Sequence, residues 1–470
     1  EALALAARPG EAGAGNSRLV ELVSSSSAAA SALLPVTAAR ADARFVPVLV
    51  AIARHHPSMK ERTLEVLAGL PLDLSRDAAV PDDLVEAEIV SHDAARRVTG
   101  YRLAALAGWP ADRILQGLSD PDVLVRRAAV DALQGRAESI ESIRPLLRSE
   151  DARVRLAAIE ALGQAEATDI LFAYLRDEAF PRIAAYRGWR KSLPSGNASW
   201  VQIARLAMAE ADRAAIDEVL ATLEALGHDQ AVKYIRRFIG AGDERMRARA
   251  AEAISAFDER KLVTPLLPLL DEQAETRRKR LPLASVIAQM KTSSSPWLRR
   301  AAVIAKPAKP KESAMSAAEE GLLDRLLFLR KVPIFESCTL DDLYAIHQVM
   351  TRADFADGDL IMEEGAQGEQ LFVLLEGTAK VGRRTPSGFV EYTTLSPGST
   401  FGEMALFGDG IRTADVIAAG AVACLVLERS HFEDLIRQQP GILMQICRLF
   451  GSRLRAANRG SDALRAEVRS

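Results

Sequence analysis

Glu403 and Arg412 bracket the stretch of this chain whose residue types and spacing point to chemistry, FGEMALFGDGIRTADV at 401–416. The GEMAL portion reads as a short helical turn beginning after a glycine. A free helix N-terminus presents unpaired N–H groups outward and favours an anion. Arg412 ends the same loop, and its planar fork can donate to two phosphate oxygens at once. Glu403 is out of place if anion binding is the only task; a carboxylate there suits an acceptor for a sugar hydroxyl. Taken singly, each has a plainer reading, Glu403 as a solvated helix-start carboxylate and Arg412 as an exposed loop cation.

The surrounding elements must position that loop. From Thr351 onward the pattern has a period of two in short steps: DFADGDLIMEEG, EQLFVLLEG, TAKVGRRTPSG, FVEYTTLSPGS and TADVIAAGAVACLVLERS. Gly358, Gly365, Gly377, Gly388 and Gly398 fall at the turns, so a compact antiparallel sandwich or barrel is expected. An amphipathic helix, EEGLLDRLLFLRKV, and a second helix with Asp341 and Asp342 in its first turn precede the strands. HFEDLIRQ and PGILMQICRLFGSRLRAANR follow as closing helices, with Pro440 at the start of the second. In that last helix Ile442, Leu443, Ile446, Leu449, Phe450 and Leu454 share one apolar face, suited to a lid over a bound ligand or to a docked core helix.

Upstream, residues 40–304 show the 3.6-residue period, rich in Ala, Leu, Arg and Glu. VRRAAVDAL at 125–133 and VRLAAIEAL at 154–162 repeat at an offset of 29 residues, each after a short Asp-containing turn. Weaker copies stand at 59–67, 246–254 and 298–305. Periods of this kind describe a helical solenoid, with an irregular helical bundle as the alternative. The D-x-x-V-R-x-x-A-x-x-A-L style resembles HEAT repeats, which bury their apolar faces by stacking on neighbours. Residues 305–316, AKPAKPKESAMS, read as an exposed linker, and residues 1–39 as a low-complexity segment at the cut end of a longer chain.

The 401–416 stretch is similar to the phosphate-binding cassette of the cyclic-nucleotide-binding domain family. Its pattern, F-G-E-x-A-L, a short loop and then R-[TSA]-A, runs without insertion from Phe401 to Ala414. The order helix, jelly roll, two helices also matches, so the resemblance covers residues 317–458 and leaves 459–470 as a tail. The implied fold is an α solenoid followed by an α+β domain built on an antiparallel β jelly roll. The implied ligand-binding residues are Phe401, Gly402, Glu403, Met404, Ala405, Arg412, Thr413 and Ala414. Glu403 would hold the ribose 2′-hydroxyl, Arg412 the cyclic phosphate, and the N–H groups of Ala405 and Thr413 would add hydrogen bonds. Ile411 departs from the proline frequent in kinase subunits, and Asp415 from the usual Thr, Ser or Asn. Alternation onward from Arg412 turns Asp415 aside, so it is not expected to meet the phosphate.

Thr413 and the following stretch resemble cGMP-dependent kinase. The family's guanine-reading Arg, however, would fall at Thr393, so cAMP is the expected ligand and cGMP the alternative. The domain order resembles bacterial fusions of an ADP/ATP-translocase-like membrane domain with HEAT repeats and a cyclic-nucleotide domain. That implies a cytoplasmic module at the cytosolic face of a membrane, its repeats meeting an upstream membrane domain or a protein partner; a soluble cAMP-responsive scaffold is the rival.

Composition narrows the rest. The 470 residues are 49% apolar, with 60 Lys plus Arg against 63 Asp plus Glu, so no global positive field exists to hold a nucleic acid. The longest apolar runs, Phe45 to Ala53 and Ile417 to Leu427, fall short of the roughly 20 residues that span a bilayer. Cys338, Cys424 and Cys447 lack metal-ligand spacing and read as buried thiols of a reducing compartment. His55 and His56 are adjacent on a helix and do not face one metal. No cofactor, phosphate loop, nucleophile elbow or kinase signature is found, so no enzymatic activity is expected. Too few residues follow the last helix for a helix-turn-helix, which disfavours a transcription factor.

Overall fold

The computed structural model describes residues 14–40, 42–70, 80–136, 139–241, 244–256, 266, 279–305, 313–336, 338–386, 388–403 and 410–438. Contacts divide the chain into two units, Glu1–Ala185 with Asp212–Arg277, and Tyr186–Ala211 with Arg278–Ser470.

The first unit is helical throughout its described residues and shows why the repeats recur. Asp122 caps helix Val123–Leu133 by accepting from the N–H of Leu124 at 2.7 Å, and Asp151 caps helix Ala152–Gln164 by accepting from Arg153 at 2.8 Å. One turn on, Arg126 reaches back to the carbonyls of Asp120 and Pro121, and Arg155 to those of Ser149 and Glu150. The basic position thus ties the helix to the preceding turn, while Val125, Ala129 and Val130 go into the core. A third copy precedes these: Asp93 caps helix Ala94–Leu106, and Arg97 donates to the carbonyls of Ser91 and His92. Gly100 and Tyr101 interrupt the alanine pattern that marks the other copies. Gly100 is needed where the helix meets its predecessor, since a Cβ there would lie 2.7 Å from the Ile89 side chain.

Behind these helices Glu218, fully buried, accepts from Arg155 at 2.6 Å, Arg182 at 2.8 Å and the Tyr174 hydroxyl at 2.5 Å. Three donors around one carboxylate offset the cost of taking it out of water. The segment read as low-complexity also folds: helix Ala14–Ser25 buries Leu19 and Val23, four apart, and helix Ser27–Arg40 buries Ala30, Leu33, Leu34 and Thr37 at three- and four-residue spacing. High alanine propensity and one apolar stripe suffice despite the serines.

In the second unit, helix Pro296–Ile304 repeats the device with Ser295 as cap and Arg299 on the carbonyls of Ser293 and Ser294. Most of the expected linker lies outside the described residues, but helix Ser313–Lys331 begins within it. Helix Leu340–Val349 opens with a capping box between Thr339 and Asp342. Its first N–H donates to Glu210 at 3.2 Å, and Asp341 accepts from the Trp297 indole at 2.8 Å. Trp297 packs edge-on to Tyr344.

Among the described residues eight strands follow: β1 (Thr351–Phe355), β2 (Leu360–Met362), β3 (Gln370–Glu376), β4 (Ala379–Thr385), β5 (Gly388–Leu395), β6 (Thr400–Phe401), β7 (Asp415–Ala418) and β8 (Val422–Glu428). They form two four-stranded antiparallel sheets in the orders β1-β8-β3-β6 and β2-β7-β4-β5. Phe372, Leu374, Val416, Cys424 and Val426 fill the space between them. The five turn glycines named from sequence all hold positive φ, between 80° and 125°. β8 is buried from Val422 to Leu427, in keeping with its unbroken apolar run. Residues 439–458, with the expected closing helix, lie outside the described residues.

Candidate ligand-binding site

Residues 402–403 after β6 and 411–414 before β7 come together. A cavity of about 280 Å³ opens there, lined by Phe401 of β6 and by Gly402, Glu403, Arg412, Thr413 and Ala414. Met362, Val381, Leu395 and Val416 supply an apolar wall, and Thr393 of β5 adds a hydroxyl. Six of the eight residues picked from sequence thus come together around one space; Met404 and Ala405 lie outside the described residues.

Arg412 governs the electrostatics of this space. Only 6% exposed, it donates from Nη1 to the carbonyl oxygens of Gln370 at 2.8 Å and Gly402 at 3.0 Å. Its own backbone is pinned by a two-way pairing, its N–H to Ala366 and its carbonyl accepting from Gly365. Among the described residues it forms no ion pair, and its Nε and Nη2 make no hydrogen bond. Burial lowers its pKa from the ordinary guanidinium value, with Glu403 and Glu428 partly opposing that; an arginine stays charged regardless. A buried cation held by neutral dipoles is costly to maintain and is relieved by an anion. The stacked rings of Phe372 and Phe401, 5.0 Å between centroids, lie beneath, with the guanidinium carbon 5.8 Å from the Phe372 centroid.

Two glycines make room for the guanidinium. A Cβ on Gly368 would stand 2.2 Å from Nε, and one on Gly402, whose φ is +80°, 2.4 Å from Nη1. Glu403 is 6% exposed, so its carboxylate is turned inward rather than solvated.

Asp415 does not join this lining. It points to the other side of β7 and accepts from the backbone N–H groups of Glu364 at 2.8 Å and Arg384 at 2.7 Å. Burial pushes its pKa up, but these N–H groups and the Arg384 side chain outweigh burial and hold it below its usual value. Asp415 therefore ties β7 to the backbone at Glu364 and at Arg384 of β4. Cys338 and Cys424 are buried free thiols, each pushed up to about 12 by burial, and Cys447 lies outside the described residues. Among the described residues no cluster is placed to hold a metal, and no helix is long and apolar enough to cross a membrane.

Residues that sequence reasoning missed are those joined through the sheet: Gln370, Gly368 and the apolar wall. Alternating strand residues carry no motif that would mark them.

Residues 352–439 match the family model of the cyclic nucleotide-binding domain, and residues 111–188 that of HEAT repeats. The chain therefore carries both, the helical repeats first. It is 37% identical over 113 residues to cGMP-dependent protein kinase, isozyme 2 forms cD5/T2, of Drosophila melanogaster, which is 23% of this chain and 12% of the kinase. It is 29% identical over 131 residues to the CRP-like cAMP-activated global transcriptional regulator of Mycobacterium tuberculosis, 28% of this chain and 58% of the regulator. The chain thus spans only part of each relative. Among solved structures it resembles the regulatory domain of Toxoplasma gondii PKA with cAMP, at 26% identity and a TM-score of 0.25, covering 29% of this chain and 54% of that one. The Thermus thermophilus Catabolite Activator Protein is similar at 28% identity and a TM-score of 0.27, over 28% and 62%.

Proposed function

We propose that this chain is a cAMP-sensing regulatory module, in which nucleotide occupancy of the jelly roll is passed to the helical repeats, with no catalytic step of its own. The observation that carries this reading is Arg412, buried, without an ion pair among the described residues, and facing the same cavity as Glu403. A cyclic phosphate supplies the single negative charge that Arg412 lacks, and the adjoining ribose supplies a hydroxyl for Glu403. The apolar wall is left for the base.

The preference for cAMP over cGMP rests on Thr393, which lines the cavity where a guanine-reading arginine would stand. Thr413 can hydrogen-bond guanine and keeps cGMP as the alternative. Ligand can shift the module only by binding one of its conformations better than the other. The repeats then deliver the signal to a protein partner or to a membrane domain of a transporter, with the module at the cytosolic face.

Calorimetry of the whole chain with cAMP and cGMP tests this. Saturable binding of cAMP with weaker cGMP supports it; cGMP displacing labelled ligand at the lower concentration reverses the choice of base, and binding of neither removes the proposal.

A further inference from the structure

We infer that Glu428 is a positioning residue for Arg412, acting through the side chain of Gln370 although it lies outside the cavity. The inference rests on the reading of the cavity as a cyclic-nucleotide site and adds to it a residue that aims the phosphate-binding group.

Arg412 hangs from two carbonyl oxygens, those of Gln370 and Gly402. Gln370 is the first residue of β3, and a strand end is where a ladder opens most easily. Glu428 is the last residue of β8 and the register partner of Gln370. Gln370 Nε2 donates to Glu428 Oε1 at 2.7 Å, and one step outward the N–H of Arg429 donates to the Glu369 carbonyl at 2.7 Å. These two bonds close the end of the ladder from which the guanidinium is suspended. The tolerance is small, because Gly368 and Gly402 leave Arg412 less space than one methyl group would need. A shift of the Gln370 carbonyl therefore turns the open edge of the fork away from the cavity.

Charge and clasp can be separated. Glu428→Gln keeps an acceptor for Gln370 but removes the negative charge, which by itself makes the cavity more attractive to an anion. Glu428→Ala removes both. In the whole chain, we expect Glu428→Ala and Gln370→Ala each to weaken cAMP binding about tenfold. The double variant should be no weaker than either single one, and Glu428→Gln should stay within about threefold of wild type. In ligand-free protein, the Arg412 Nη1 resonance, assigned by its loss in Arg412→Lys, should lose its exchange protection in Glu428→Ala and keep it in Glu428→Gln. Wild-type affinity with an unchanged resonance in Glu428→Ala overturns the inference, and so does equal weakening by Gln and Ala, because an acceptor retained for Gln370 would then not be what holds Arg412. If wild-type protein binds neither cAMP nor cGMP, the cyclic-nucleotide reading fails, and the resonance alone decides the positioning role: mobilised in Glu428→Ala it stands, unchanged it falls.

Discussion

Arg412 Nη1 donates to the carbonyl oxygen of Gln370 at 2.8 Å across 42 residues of sequence. A carbonyl orients a guanidinium without neutralising it, whereas a carboxylate in the same place would compete with any incoming anion. The charge of Arg412 is thereby kept available at the cavity, at the expense of burying it.

Arg412→Ala is expected to abolish or severely weaken nucleotide binding, by about 2–5 kcal/mol, the cost of truncating one partner of a buried charged pair. Arg412→Lys should also be damaging, since an ammonium lacks the planar fork. Titration calorimetry beside thermal unfolding separates loss of binding from loss of fold. Wild-type affinity in both variants would remove Arg412 from the site.

Gly368→Ala should act on the same group without touching a ligand. Its Cβ would stand 2.2 Å from Nε of Arg412, so the guanidinium must move. Tenfold weaker binding or worse is expected, about 1.4 kcal/mol or more, with the jelly roll still folded. Equilibrium titration with a fluorescent cAMP analogue measures it, and an unchanged dissociation constant would show that the fork is free to relocate.

Glu210 makes the helices of the second unit sensitive to pH. Burial pushes its carboxyl up to about 7, with Asp341 and Asp342 adding to the rise and the Leu340 N–H and Arg330 opposing it. Its folded value lies above the unfolded one. The stabilisation from binding this proton is therefore complete below the unfolded pKa of about 4.3 and is lost as pH rises through 7. That loss amounts to roughly 4 kcal/mol at most. Urea unfolding from pH 5 to 8 should show wild type losing stability relative to Glu210→Gln, which cannot titrate. Parallel curves for the two proteins would place the titration elsewhere.

Asp415 has the opposite sign. Its folded pKa lies below the unfolded value of about 3.9, so its contribution is present above that value and is lost as pH falls through the lowered one. Asp415→Asn should cost about 1–3 kcal/mol at pH 7, because an amide cannot accept from both backbone N–H groups and the Arg384 side chain as a carboxylate does. The gap between variant and wild type should shrink in strong acid. A constant gap down to pH 2 would mean that shape, not charge, is what Asp415 contributes.

The sequence by itself determined whatever depends on neighbours along the chain. The repeat caps were legible because an Asp serves the N–H groups two and three residues on, and the repeat arginine reaches carbonyls five and six residues back. The turn glycines were legible because positive φ is a local demand. Glu403 and Arg412 were legible because one loop carries both. Tertiary structure alone decided what pairs with that loop. Sheet register brings Gln370 and Glu428 together, 58 residues apart in sequence, and places Gly368 where only a hydrogen atom fits beside Arg412. The N–H of Leu340 reaches Glu210 across 130 residues. No residue type announces such a contact beforehand, because a backbone carbonyl looks the same in every sequence until the strands are laid side by side.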